Sequence, residues 1–128
     1  MKSVVFSGSL RYADQMSQWV QELQGRGVKA YAPQQKQPQD WNQLPDADRR
    51  KLQLRFINEH NQAIDDYDVL FVFNPEGRVG NSVTLEVGYA LAKAKPVYAM
   101  TRDSELGRDV LYAGYCKSVE GLIQQLSV

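Results

Sequence analysis

Cysteine and histidine are almost absent from this chain. One Cys116 and one His60 in 128 residues leave no internal disulfide and no His/Cys zinc set. No metal is therefore expected, and no cofactor either. Net charge is missing as well: 15 basic and 15 acidic side chains cancel, with no block of one sign. Nucleic-acid binding by bulk electrostatics needs a basic face, so no nucleic-acid partner is expected. Long apolar runs are also lacking. Nothing approaches the ~18 residues of a membrane span, and Val4-Val5-Phe6 is too brief for a signal peptide. No membrane partner is expected. A cytoplasmic protein with a single domain over residues 1–128 is the economical expectation.

What the chain does contain is alternation. Val4-Val5-Phe6 reads as a short buried strand ending in Ser7-Gly8-Ser9. Met16, Trp19, Val20 and Leu23 recur at helical spacing over about 12–24, and Gly25 and Gly27 stop that helix. Val28 to Ala32 is a second strand, ended by Pro33. Residues 34–44, rich in Gln and holding Pro38 and Trp41, form a loop long enough to serve as a lid.

Pro45-Asp46 opens a helix whose apolar face runs Leu52, Phe56, Ile57, Ala63 and Ile64. Leu54 falls off that stripe and points to a second surface, such as another subunit. Val69 to Phe73 is the most hydrophobic strand and is expected at the centre of the sheet. A helix over 82–94 and a strand over 96–100 follow. Next come a polar loop with a short helical piece over 101–111 and a fifth short strand within 112–117. Ser118 caps a last helix. This order implies right-handed crossovers and a parallel sheet covered on both faces. The fold class is α/β: a flavodoxin-like, Rossmann-like three-layer sandwich with four or five parallel strands. Ligands in such sheets bind beyond the carboxyl ends of the strands.

Two stretches fall on that edge. In Ser7-Gly8-Ser9-Leu10-Arg11 a glycine between hydroxyls exposes backbone N–H groups, and Arg11 can fork onto an oxyanion. A plain strand-to-helix turn with a serine cap accounts for it equally well. The second stretch runs from Asn74 through Glu86 to Ala90. Gly77 and Gly80 suit a loop that passes close to a ligand or takes positive φ. Asn81, Ser82 and Thr84 can cap the next helix and point donors at a substrate.

Glu86 is expected in or near the first turn of that helix, among Leu85, Val87 and Ala90. An acid delivered to the mouth of an α/β sheet is how a nucleophile or general base is presented. The competing reading is a solvated acid that complements the helix dipole. Among the aromatics, Trp19 belongs to the core, Tyr89 to packing, and Trp41 is the better candidate for closing over a flat ligand.

These features together resemble the nucleoside 2-deoxyribosyltransferase family and the related 2'-deoxynucleoside 5'-phosphate N-hydrolases. The residues that carry the resemblance are the early Ser-Gly-Ser turn, Asp68 opening a strand, the Gly-bearing loop, and Glu86-Val87-Gly88-Tyr89-Ala90. It is specific from Asp68 to Pro96. The resemblance implies that Glu86 is a nucleophile attacking the anomeric carbon of a nucleoside or nucleotide. It also implies that Ser7, Gly8, Ser9, Arg11, Gly80, Asn81 and Ser82 bind substrate, with a 5'-phosphate in the hydrolase branch. Asp68, Asn74 and Gly77 are carried as further substrate-binding candidates, and a homo-oligomer is implied.

The chain departs from the family pattern twice. His60 stands eight residues before Asp68, where the family commonly has an Asp, and is a candidate to protonate the leaving base or contact a phosphate. Gly80 stands six residues before Glu86, where an Asp or Ser is usual. Hydrolysis is favoured over base exchange, partly because the last residues, Gln124 to Val128, lack an aromatic terminus. Two other readings stay open: a phosphoribohydrolase, and a non-catalytic nucleotide sensor.

Overall fold

The computed structural model describes residues 1–33 and 37–128; the remainder of the expected 34–44 loop, residues 34–36, lies outside them. Among the described residues five parallel strands form one sheet. They are β1 (Val4–Gly8), β2 (Ala30–Tyr31), β3 (Val69–Phe73), β4 (Val97–Ala99) and β5 (Gly114–Tyr115), in the order β2-β1-β3-β4-β5. The expected central position of β3 holds.

Period-two alternation builds the layers, because successive strand side chains point to opposite faces. Val4, Phe6, Val69, Phe71 and Phe73 meet Met16 and Leu23 of α1 (Ala13–Gly25) and Leu122 and Leu126 of α5 (Val119–Leu126). Trp19 joins this layer, stacked on Phe71 with 5.5 Å between ring centres. On the other face Val5, Leu70 and Val72 meet Ile64 of α2 (Asp46–Asp66) and Val83, Val87 and Ala90 of α3 (Asn81–Ala92). The helical piece after β4 is α4 (Leu106–Asp109), and Ser118 caps α5 by accepting from the Gly121 N–H, both as expected.

Four expectations need correction. The second strand is only two residues long, shorter than the five anticipated. The helix carrying Glu86 starts at Asn81, so Glu86 sits in its second turn. Its N-cap is Gly80, with no capping side chain; Thr84 Oγ1 instead donates back to the Gly80 carbonyl at 2.8 Å. The apolar face anticipated on α2 is largely not core. Only His60 and Ile64 are buried there, while Leu52 and Phe56 are half-buried and Ile57 and Leu54 are exposed. The N-terminal half of α2 stands off the sheet, and that leaves room for a cleft.

The strand order reverses between β1 and β3. Their carboxyl ends lie level, with Ser7 opposite Val72 and Gly8 opposite Phe73. This is the crevice where doubly wound sheets bind ligands. Among the described residues no helix is long and apolar enough to cross a membrane.

Candidate active site

Alternation on β1 decides what faces the crevice. Ser7 follows Val5 on the α2–α3 side, is fully buried, and meets the side chains that those two helices supply. On α2, His60 lies one turn before the buried Ile64 and so turns toward the sheet. On α3, Glu86 falls three residues after Val83 and four before Ala90, on the inward face of the helix. The three side chains converge. Ser7 Oγ lies 3.0 Å from His60 Nε2, and His60 Nε2 lies 3.6 Å from Glu86 Oε1.

Burial governs the electrostatics. The Glu86 side chain is 20% exposed, and desolvation pushes its carboxyl up to about 7 from an ordinary 4.5, a rise the Ser7 hydroxyl opposes. Desolvation pushes the His60 imidazole down to about 4 from 6.5. His60 is therefore neutral near neutral pH. With Glu86 ionised, one arrangement satisfies all three groups: His60 Nε2–H donates to Ser7 Oγ, and Ser7 O–H donates to the carboxylate.

A cleft of about 690 Å³ opens over this group. Its apolar rim is Leu10, Phe56, Ile57 and Leu85, and its polar wall includes Ser9, Gln53, Asn61, Asn81 and Ser82. A pocket of that size, mostly apolar with a few convergent polar groups, suits a small organic ligand. Gly8 forms part of the wall for a steric reason. A Cβ there would lie 3.0 Å from both Met16 Sδ and the Phe73 carbonyl oxygen.

The structure brings together Glu86, His60, Gly8, Ser9, Gly80, Asn81 and Ser82 on this cleft, with Ser7 directly behind. Other expected residues fall elsewhere. Asp68 precedes β3 and lies at the amino edge of the sheet, where its carboxylate accepts from the Ser3 N–H at 2.9 Å and the Ser3 hydroxyl at 3.1 Å. It ties two strand starts together and does not face the cleft.

Asn74 is buried and fully committed to the backbone beyond β4. Its amide donates to the Thr101 carbonyl, and its carbonyl accepts from the Met100 and Thr101 N–H groups. It holds the ends of β3 and β4 together in place of contacting a ligand. Asn74→Ala should therefore lower stability by about 2 kcal/mol, the cost of stranding buried backbone groups. A lower urea midpoint with an unchanged slope would register this.

Gly77 takes φ 75° beside the Arg102 carbonyl, so its role is the turn. Trp41 is half-buried in a 3-10 turn, Trp41–Gln43, and does not line the cleft. His60 lines the cleft against Ser7 and Glu86, and burial favours its neutral imidazole. Arg11 lies in an adjoining chamber, paired with Glu76 at 3.1 Å. Sequence reasoning missed Glu76 and Arg78 there; the charges of the Pro75-to-Arg78 turn were the available signal.

Comparison with known proteins gives the family and the fold. The profile of the nucleoside 2-deoxyribosyltransferase family matches residues 3–126. A crystal structure of a conserved protein from Enterococcus faecalis V583 matches with a TM-score of 0.64 at 20% identity, over 99% of this chain and 98% of that one. Likeness at that identity shows the fold. No curated protein matches significantly. The chain belongs to the nucleoside 2-deoxyribosyltransferase family, whose chemistry is of the deoxyribosyltransferase type, at an N-glycosidic bond.

Proposed function

We propose that the chain cleaves the N-glycosidic bond of a nucleoside or nucleoside 5'-monophosphate, with Glu86 as nucleophile and water as the favoured acceptor. The observation that supports this best is a desolvated carboxylate on the cleft, steered by Ser7 and the neutral His60. In the first step a Glu86 oxygen bonds to C1' as the C1'–N bond breaks, and the electron pair leaves with the base, which takes up a proton from solvent. A carboxylate with little solvent screening stabilises the oxocarbenium-like transition state and then captures it as an ester. In the second step water adds to C1' and gives up a proton to solvent, the bond from C1' to the Glu86 oxygen breaks, and the carboxylate is regenerated.

Ser9, Asn81 and Ser82 offer donors to the sugar or its phosphate beside the start of α3. The hydroxyl-rich walls and the neighbouring Arg11 favour the phosphorylated substrate and thus the hydrolase branch. One domain does this work within a homo-oligomer. Exposed Leu10, Ile57 and Leu85 line the cleft, where a second subunit would cover them.

Incubation with deoxy- and ribonucleosides and their 5'-monophosphates should release free base, read by chromatography. Ligands that raise the melting temperature without any base release over long incubation would leave a nucleotide sensor instead. The rate should also carry the signature of Glu86. A nucleophile must be ionised, so kcat/KM should climb with pH, reach half its plateau near pH 7 and level off above, as burial of the carboxyl dictates. His60, lowered to about 4, should add no inflection between pH 5 and 9. Rates across that range check both statements.

A further inference from the structure

Beyond β4 lies a buried charge that the cleft chemistry does not use. The Asp103 side chain is fully buried, and Arg108 forks onto it with Nε at 2.8 Å and a terminal nitrogen at 2.9 Å. The Tyr112 hydroxyl and the Glu105 N–H donate to the same carboxylate, each at 2.9 Å. Burial would raise this carboxyl, but its donors outweigh burial and hold it below the ordinary carboxylate range. A buried ion pair contributes little net stability, because desolvation offsets its attraction. What an apolar replacement could not supply is its geometry.

That geometry folds residues 100–108 against the loop that leads to the cleft. Asn74 binds the Met100 and Thr101 backbone. The Ser104 N–H donates to the Gly77 carbonyl at 2.7 Å, and a Cβ on Gly77 would lie 2.9 Å from the Arg102 carbonyl oxygen. The other terminal nitrogen of Arg108 reaches Thr84 Oγ1 at 3.5 Å, and that hydroxyl donates onward to the Gly80 carbonyl at 2.8 Å. Gly80 is the N-cap of α3 and has no side chain to fix the turn. Contacts at Asn74, Gly77 and Thr84 thus span the loop from the end of β3 to the first turn of α3. Between the last two lie Gly80, Asn81 and Ser82, which line the cleft.

We propose that Asp103 and Arg108 are positioning residues, which brace the first turn of α3 through Thr84 and so set where Asn81 and Ser82 meet the substrate. Neither lines the cleft. Glu86 sits one turn further on and is held by Ser7, so the brace acts on binding and leaves the nucleophile alone. The substrate end of this inference rests on the N-glycosidase reading of the cleft, whereas the brace itself does not.

Asp103→Asn would unpair the buried Arg108 and destabilise the fold, so two milder variants carry the test. Thr84→Val removes the hydroxyl at nearly constant volume and leaves the buried pair intact. Arg108→Lys keeps the charge and loses the fork. Amide hydrogen exchange, read by NMR without ligand, follows the Thr84 N–H, which donates to the Gly80 carbonyl at 3.1 Å. Exchange there should quicken about three- to tenfold in both variants and stay unchanged at Leu70 and Phe71 of β3. With a nucleotide from which the wild type releases base, KM should rise about three- to tenfold, the scale of one weakened hydrogen bond. The kcat should hold within about twofold, its pH midpoint should not move, and Thr84→Ser should restore the wild-type KM.

Unchanged exchange at Thr84 in both variants overturns the proposal. Faster exchange with an unaltered KM overturns it as well, because the brace would then serve stability alone. So does a loss that falls on kcat, or a Thr84→Ser protein that behaves like Thr84→Val. If no nucleotide ever releases base, the N-glycosidase reading falls and the exchange rates alone decide the brace.

Discussion

Glu86→Gln should reduce base release by about 10³-fold or more, the scale on which removing a covalent nucleophile is felt. The substitution keeps the shape of the side chain and a carbonyl oxygen for the Ser7 hydroxyl. It removes only the charge and the nucleophilic oxygen. Substrate binding should therefore survive, visible as a rise in melting temperature with added nucleotide. The loss should fall on kcat, because a carboxylate that stabilises a developing cation acts in the transition state more than in the ground state. A variant retaining a tenth of wild-type activity would make Glu86 a bystander. Rapid-quench measurement with the active substrate, looking for a burst of base before steady turnover, separates ester formation from its hydrolysis.

The local parts of this fold were legible because their causes are local. Val4 to Phe6 and Val69 to Phe73 are uninterrupted apolar runs, and Gly25 and Gly27 end α1 where a 3.6-residue pattern stops. The inward turn of Glu86 was legible from Val87 and Ala90, which are buried on α3, whereas Leu85, counted with them, is exposed. Distant pairings were not. Ser7 and His60 are 53 residues apart in sequence, and nothing near either announces the other.

Asp68 and Asn74 looked alike as polar residues flanking a central strand. A parallel sheet gives them opposite fates, since one flanks the amino end and the other the carboxyl end of β3. Asn74 then turned inward because β4 ends beside it with backbone groups to satisfy. The spacing on α2 misled for a different reason. An apolar stripe signals a face that avoids water, and it does not say whether the sheet, a ligand or another subunit covers that face. Phe56 and Ile57 line the cleft in place of filling the core.

The acid that drives the proposed chemistry should also weaken the fold, and Glu86→Gln should expose this as a gain in stability at alkaline pH. The carboxyl titrates at about 7 when folded against 4.5 ordinarily. Between those values the folded state holds the proton that the unfolded chain has released. Unfolded chains then bind fewer protons, so the contribution of this group is fully present below pH 4.5 and is lost as pH rises through about 7.

At ~1.4 kcal/mol per pKa unit, the ionised carboxylate costs about 3 kcal/mol above pH 8. Glutamine carries no charge to desolvate. The variant should melt roughly 10 °C above wild type at pH 8.5, given the few degrees that each kcal/mol moves a domain of this size. The gap should close toward pH 4.5. His60 runs the other way: lowered to about 4 by burial, it stabilises above pH 6.5 and loses that contribution as pH falls through 4. Because His60 is present in both proteins, its effect cancels in the difference, and the melting-temperature gap between them, followed from pH 4 to 9, isolates Glu86. A gap that stayed flat across that range would mean that the carboxylate is solvated when the protein folds, and a solvated acid at this position could not carry the glycosyl-enzyme chemistry either.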